Sequence, residues 1–184
     1  MLDKTYRNEI RRRFLTEALP EPLTRASSHI QIFDNYIAGT RMRIRSLRDP
    51  ATKVWTWSLE HRLHTDIPGM TKVGELHLSE PEHAVFEHLE GNEIRKNRYF
   101  HEFDHHAFSF DLHLGPLWGL NIANVEFADE ESLRAYEPPP FAVYEITADP
   151  FFYGENLVGK SFEDVRAEVS RIAESGFLAE FPDE

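Results

Sequence analysis

The chain has 184 residues, 41% hydrophobic and 28% charged, which suffices for one domain with a sizeable core spanning residues 1–184. Its net charge of −12 argues against a general binder of nucleic acid or anionic membranes, which needs an outward positive field, and no apolar run is long enough to cross a bilayer. Without cysteine there is no disulfide, thiolate metal site or thiol nucleophile; with no signal-type apolar stretch at the N-terminus either, a cytoplasmic protein is expected.

Asn8 to Leu15 reads as a first strand, broken by Leu19-Pro20-Glu21-Pro22. A pair follows, Ile30 to Ile37 and Thr40 to Ser46, joined at Ala38-Gly39. The second of these contains Arg41-Met42-Arg43-Ile44-Arg45. As a strand it sends three guanidiniums to one face and Met42 and Ile44 to the other. Like charges in a row destabilise a sheet unless anions or carboxylates sit opposite. The same phase recurs in Glu9-Ile10-Arg11-Arg12-Arg13-Phe14 and in Ile94-Arg95-Lys96-Asn97-Arg98-Tyr99.

Val54 to Glu60 alternates, with Trp55, Trp57 and Leu59 on an apolar face assigned to the core and Thr56, Ser58 and Glu60 opposite. Lys72 to Leu78 follows the turn at Pro68-Gly69, with Glu75 and His77 in phase. Ser79-Glu80-Pro81-Glu82 opens a helix as N-cap and capping box, running to Leu89. Two strands, Glu93–Tyr99 and Ala107–His113, flank a polar turn at Glu102-Phe103-Asp104. Leu120 to Phe127 alternates again, Asp129 to Tyr136 forms a short helix, and Phe141 to Thr147 is a last strand after three prolines. Ser161 caps a final helix whose apolar face is Phe162, Val165, Val169 and Ile172.

Eight or nine strands on short links, without the helical crossovers that parallel pairing needs, predict a mainly antiparallel α+β fold. One polar face on nearly every strand predicts a barrel with a polar lumen. On periodicity alone an open sheet with a wet face remains an alternative. The histidines at 101, 105 and 106 read as a polar hairpin turn rather than a metal site, and only His113 shares the face of Asp111. Lys160 lacks the spaced glycines of a P-loop. The acidic surplus is expected on a solvated outer surface, concentrated near the C-terminus.

The ordered set of strands resembles the CYTH superfamily, the triphosphate tunnel metalloenzymes. Glu9-Ile10-Arg11-Arg12-Arg13-Phe14 is similar to its opening Glu-x-Glu-x-Lys motif, and Tyr36 through Arg45 to its Tyr-x-x-Gly-Thr-Arg-x-Arg-x-Arg strand. Lys96-Asn97-Arg98-Tyr99 resembles the Lys-x-Arg-Tyr strand and Phe110-Asp111-Leu112 the later aspartate strand. Gly119-Leu120 to Val125-Glu126-Phe127 and Pro138-Pro139-Pro140 to Asp149 resemble the closing segments, so the likeness covers residues 8 to 160 in order.

The resemblance implies a closed eight-stranded antiparallel β-barrel forming a tunnel, with flanking helices and a C-terminal helix. It implies a small polyanionic phosphate ligand held by Arg11, Arg13, Arg41, Arg43, Arg45, Lys96 and Arg98. Magnesium or manganese would sit on Glu9, Asp111, Asn124, Glu126 and Glu145, with Glu75 a catalytic candidate. The implied activity is hydrolysis of inorganic or organic triphosphate. The chain departs from the pattern on the functional face: Arg11 replaces the second opening glutamate, Arg13 the lysine and Asn124 the first glutamate of Glu-x-Glu. The Thr-x-Lys strand reads Thr56-Trp57-Ser58, without its lysine. These departures raise a second expectation, a phosphate-binding module without turnover in which Arg11 stands in for metal. An adenylate cyclase of the same superfamily is a third.

Overall fold

The computed structural model describes residues 6–89 and 91–175; the acidic stretch beyond Ser175 lies outside the described residues. In chain order the strands are β1 (Arg7–Leu15), β2 (His29–Tyr36), β3 (Met42–Arg48), β4 (Trp55–His64), β5 (Met70–Leu78), β6 (Asn92–Phe103), β7 (His106–His113), β8 (Asn121–Glu126) and β9 (Tyr144–Glu145). The helices are α1 (Glu80–Phe86), α2 (Glu130–Ala135), α3 (Gly154–Leu157) and α4 (Phe162–Ser175). The sheet runs β5-β4-β3-β2-β6-β7-β8-β1, all antiparallel, and closes through β1–β5 into an eight-stranded barrel.

The closure depends on a division of labour along β1. Its first half pairs with β5, Arg7 opposite Val73 and Ile10 opposite Met70, and its second half pairs with β8 from Arg11–Glu126 to Leu15–Ile122. Where β5 begins, Gly69 adopts φ +80°, and a Cβ there would stand 2.6 Å from the Arg11 carbonyl oxygen. Beyond that point β9 takes over the open edge of β1, with Ile146 N–H donating to the Arg13 carbonyl and Val143 N–H to that of Leu15. The expected strand at Phe141–Thr147 therefore shrinks to two residues, because only this stretch finds a partner edge.

Alternation turns the barrel inside out relative to an ordinary core. Phe14, Tyr99, Phe108, Phe110, Leu112, Ala123 and Val125 pack on the outer face of β1, β6, β7 and β8. Leu19, Leu23, Tyr136 and Phe141 cover them from the connecting segments, Phe141 meeting Phe103, Phe108 and Phe110 edge-on at 5.2–5.4 Å between ring centroids. A second cluster gathers Leu15, Ile94, Leu117, Leu120 and Ile122 with Phe152, Leu157, Val165 and Ile172. These strand ends all lie at one end of the antiparallel barrel, which α3, α4 and the turn Pro150–Phe152 thus stopper. The predicted apolar positions of α4 supply that stopper: Val165 and Ile172 are buried, and Phe162 and Val169 pack beside them.

Two sequence readings need correction. Trp55 and Trp57 stack on each other outside the barrel, and Trp55 is 39% exposed rather than a core residue. Among the described residues the outer face there meets the short α1, none of whose residues is buried; its His83 stacks on Trp57 at 5.4 Å. Strand β4 does not stop at Glu60 but continues to His64, which has consequences for the lumen.

Candidate functional site

Among the described residues, seven cationic side chains line one cavity inside the barrel: Arg11, Arg13, Arg43, Arg45, Arg62, Lys96 and Arg98. Each sits on the inward phase of its strand, two residues from the next inward position. Four carboxylates share the interior and tie these cations into a lattice. Asp34, with 0% exposure, accepts from Arg45 Nε at 2.6 Å and Nη2 at 2.8 Å, and stands 3.5 Å from Arg43 and 3.7 Å from Lys96. Glu60 accepts from Arg43 at 2.7 Å and Arg62 at 3.1 Å. Asp111 takes Arg98 in a two-point contact, 2.6 and 2.7 Å, and Lys96 at 2.9 Å. Glu9 accepts from Arg62 and forms an ion pair with Arg11 at 3.1 Å.

With Glu155 at the cavity's edge, five negative charges stand against seven positive ones, a surplus of two. Burial alone would drive the carboxyls towards the neutral form, but the guanidiniums outweigh it and hold Asp34, Glu9 and Glu60 below the ordinary carboxylate range. For Lys96 burial wins: its ammonium is pushed down to about 8, against the pull of Asp111 and Asp34. Burial also lowers Arg11 to about 10, partly opposed by Glu9, so it stays charged at neutral pH.

The stoppered end carries a different chemistry. Arg13 is the least committed cation: Nη2 donates to the Phe152 carbonyl at 2.9 Å, while the buried Nε has no hydrogen-bond partner. Burial, then the nearby Lys96 charge, lower His113 to about 4. Its Nδ1 is 3.0 Å from the Leu120 carbonyl, which can only accept, so Nδ1 carries the proton and Nε2 is left as an acceptor. Tyr36 Oη accepts from Arg43 at 3.2 Å. Gly154 abuts that ring so closely that a Cβ would fall 1.7 Å from Oη, which brings the strap 150–157 over the cavity. The strap is anchored by Tyr153, stacked on His64 at 4.1 Å, and by Glu155, which is 2.6 Å from His64 Nε2.

Of the residues expected at the site, Arg11, Arg13, Arg43, Arg45, Lys96, Arg98, Asp111 and Asn124 line this cavity, and Glu9 reaches into it through Arg11 and Arg62. Arg41 does not: it precedes β3 in the turn and is exposed beside an adjoining cleft, which shares Tyr36, Arg43, Arg62, His64, Thr65 and Glu155 with the cavity. Glu145 lies outside the barrel, gripped by the Arg12 guanidinium, because β9 flanks β1 instead of entering the wall. Glu75 and Glu126 are exposed, the former 3.7 Å from Arg7. Arg62, Asp34, Tyr153 and Thr147 belong to the site and were not singled out from the sequence. Arg62 restores the cation that the Thr-x-Lys strand lacked, four residues beyond Ser58 on the same face.

The donor set does not fit a resident divalent metal. Magnesium and manganese want several oxygen ligands converging on one point. Among the described residues no three Asp, Glu or His side chains do so. Glu9 and Asp111 are already saturated by cations, Asn124 donates its amide to the Ser109 and Ile122 carbonyls, and Glu126 and Glu145 point elsewhere.

A closed antiparallel barrel with a cation-lined interior defines the triphosphate-tunnel class of fold. No family model matches the chain. It is 34% identical over 69 residues to the inorganic triphosphatase of Nitrosomonas europaea, and 32% identical over 73 residues to that of Acetivibrio thermocellus. Those matches cover 37% and 40% of this chain and 46% of each relative, so the chain spans about half the length of the curated relatives it matches. The solved inorganic triphosphatase NE1496 superposes with a TM-score of 0.56 at 20% identity, over 82% of this chain and 93% of that one. The chain shares the fold of that solved structure and, over less than half of its length, a sequence likeness to those two relatives.

Proposed function

We propose that the tunnel binds inorganic triphosphate, or the triphosphate group of an organic molecule, and hydrolyses a phosphoanhydride bond in it. The observation that carries this reading is the surplus of cations in an enclosed cavity, with Arg13 Nε left uncommitted among them. Guanidiniums bind phosphate oxygens in two-point contacts, and their exchange from carboxylate to phosphate conserves hydrogen bonds. Two relatives called inorganic triphosphatase support the activity. In hydrolysis the same arginines would stabilise charge developing on the transferred phosphoryl and leaving oxygens. Neutral His113, whose Nε2 is the accepting ring nitrogen, is a tunnel group suited to orient the attacking water by accepting a hydrogen bond from it, while its lowered pKa makes it a weak base.

A second reading, a binding module without turnover, is favoured by one specific observation: Glu9, Asp34, Glu60 and Asp111 are each held by a cation and none is free to act as a base. Phosphate release from tripolyphosphate, followed beside calorimetric binding in the same preparation, separates the two. Release above the protein-free rate establishes the enzyme. Stoichiometric binding without release establishes the module, and neither binding nor release would reject the tunnel as a phosphate site.

A further inference from the structure

We infer that the tunnel takes its phosphate ligand without a divalent metal, the Arg11–Glu9–Arg62 cluster supplying the positive charge a metal would bring. This rests on the triphosphate reading above and deepens it.

The opening motif places Glu9 and Arg11 on the same face of β1, and the closing register sets them against β5 and β8 at the seam of the barrel. Glu9 is 7% exposed, and one of its oxygens meets both Arg11 Nη1, at 3.1 Å, and Arg62 Nη2. Its other oxygen is 3.5 Å from Arg62 Nη1 and 3.7 Å from Arg7. A dication at this carboxylate would displace guanidiniums that are themselves covalently fixed to the wall, and would then face their charge at contact distance in a site shielded from water. Arg62 is held in place from the other side by Glu60, so the cluster is braced between β1 and β4.

What a metal supplies to a polyphosphate is charge neutralisation and a template for oxygens on neighbouring phosphoryl groups. Arg11 and Arg62 supply both, as two planar donors converging on one carboxylate from different strands, with hydrogens left over for a ligand. Arg11 is the more accessible of the two half-buried guanidiniums, its side chain 22% accessible against 10% for Arg62, and so meets the ligand first. Chelation by magnesium occupies the ligand oxygens these guanidiniums would contact. Free polyphosphate is thus the preferred form and added metal competes for it.

The test is calorimetric titration of the full chain with tripolyphosphate in EDTA and again with excess MgCl2 or MnCl2. An affinity in EDTA equal to that with metal within threefold, or tighter, is the expected result. Tightening by metal of threefold or more, or binding with metal only, overturns the inference while leaving the tunnel as the ligand site. No binding in either buffer overturns the triphosphate reading and the inference together. The variant Arg11→Glu sharpens the result: binding in EDTA falls at least tenfold and is regained with MnCl2, whereas Arg11→Lys keeps metal-free binding. Arg11→Glu that binds in EDTA as the natural chain does would overturn the assignment to this cluster. The thermal midpoint of each variant shows that it is folded, and the comparison on the unaltered chain stands whether or not it is.

Discussion

The two faces of the same four strands have opposite characters. On β1 Arg13 points into the lumen and Phe14 out; on β7 Asp111 points in and Phe110 out; on β8 Asn124 points in, with Ala123 and Val125 out. The outer face is a packed aromatic layer roofed by connecting segments, and the inner face is a lattice of ion pairs around a cavity. Buried apolar side chains contribute about 1.5–3 kcal/mol each, whereas buried ion pairs roughly offset their own desolvation. The outer layer and the stopper therefore hold the fold, and the inner face is free to be organised around a charged ligand.

That contrast is most sharply broken by Phe110→Ala. It should cost about 3–5 kcal/mol of unfolding free energy through lost burial and a cavity under Phe141, read by denaturant titration, while affinity per folded molecule stays unchanged. A large loss of affinity without loss of stability would show that the outer face does not merely support the tunnel.

Asp34→Asn attacks the inner lattice instead. Leaving Arg45 and Arg43 without their shared carboxylate should cost about 3 kcal/mol or somewhat more. Tripolyphosphate should then raise the thermal midpoint of the variant more than that of the natural chain, since phosphate oxygens replace the missing charge. Equal shifts would mean that Asp34 and the ligand do not share the same guanidiniums. Arg43→Ala should weaken tripolyphosphate binding roughly tenfold to a hundredfold, the worth of about 1.5–3 kcal/mol for hydrogen bonds to a charged group, and unchanged affinity would refute the tunnel as the site.

The smallest effect expected is in pH. Burial holds Lys96 at about 8, so it is charged below that value and loses its proton as pH rises through it. Affinity should decline several-fold between pH 7 and pH 9, after the ligand's own titration is subtracted by comparison with Lys96→Arg, which stays charged. An identical profile for both proteins would remove Lys96 from the list of ligand contacts.

The barrel was legible because charge follows the two-residue period of a strand. Arg43 and Arg45, and Lys96 and Arg98, alternate with apolar neighbours, and that pattern places them together on an inner face whatever the neighbouring strands do. Asp34 escaped notice because its inward neighbour on β2 is Ile32, also buried, so the strand shows no polar stripe. Arg62 escaped because Glu60-His61-Arg62-Leu63-His64 has polar residues on both phases, and the apolar alternation that marks a strand ends before it.

By itself the sequence determined which side chains share a face, the antiparallel class of the barrel, the capped start of α1 at Ser79 and the apolar face of α4. Those are properties of single segments and of backbone periodicity. Only the tertiary structure decided which carboxylate meets which cation, because that depends on register across β1, β5 and β4, where a shift by one residue would exchange the two faces. It likewise decided that Glu145 binds Arg12 on the outside and that Glu9 is taken up by Arg11 and Arg62. Side-chain charge can be read along one strand, but the partner that neutralises it comes from another, and that choice is made when the barrel closes.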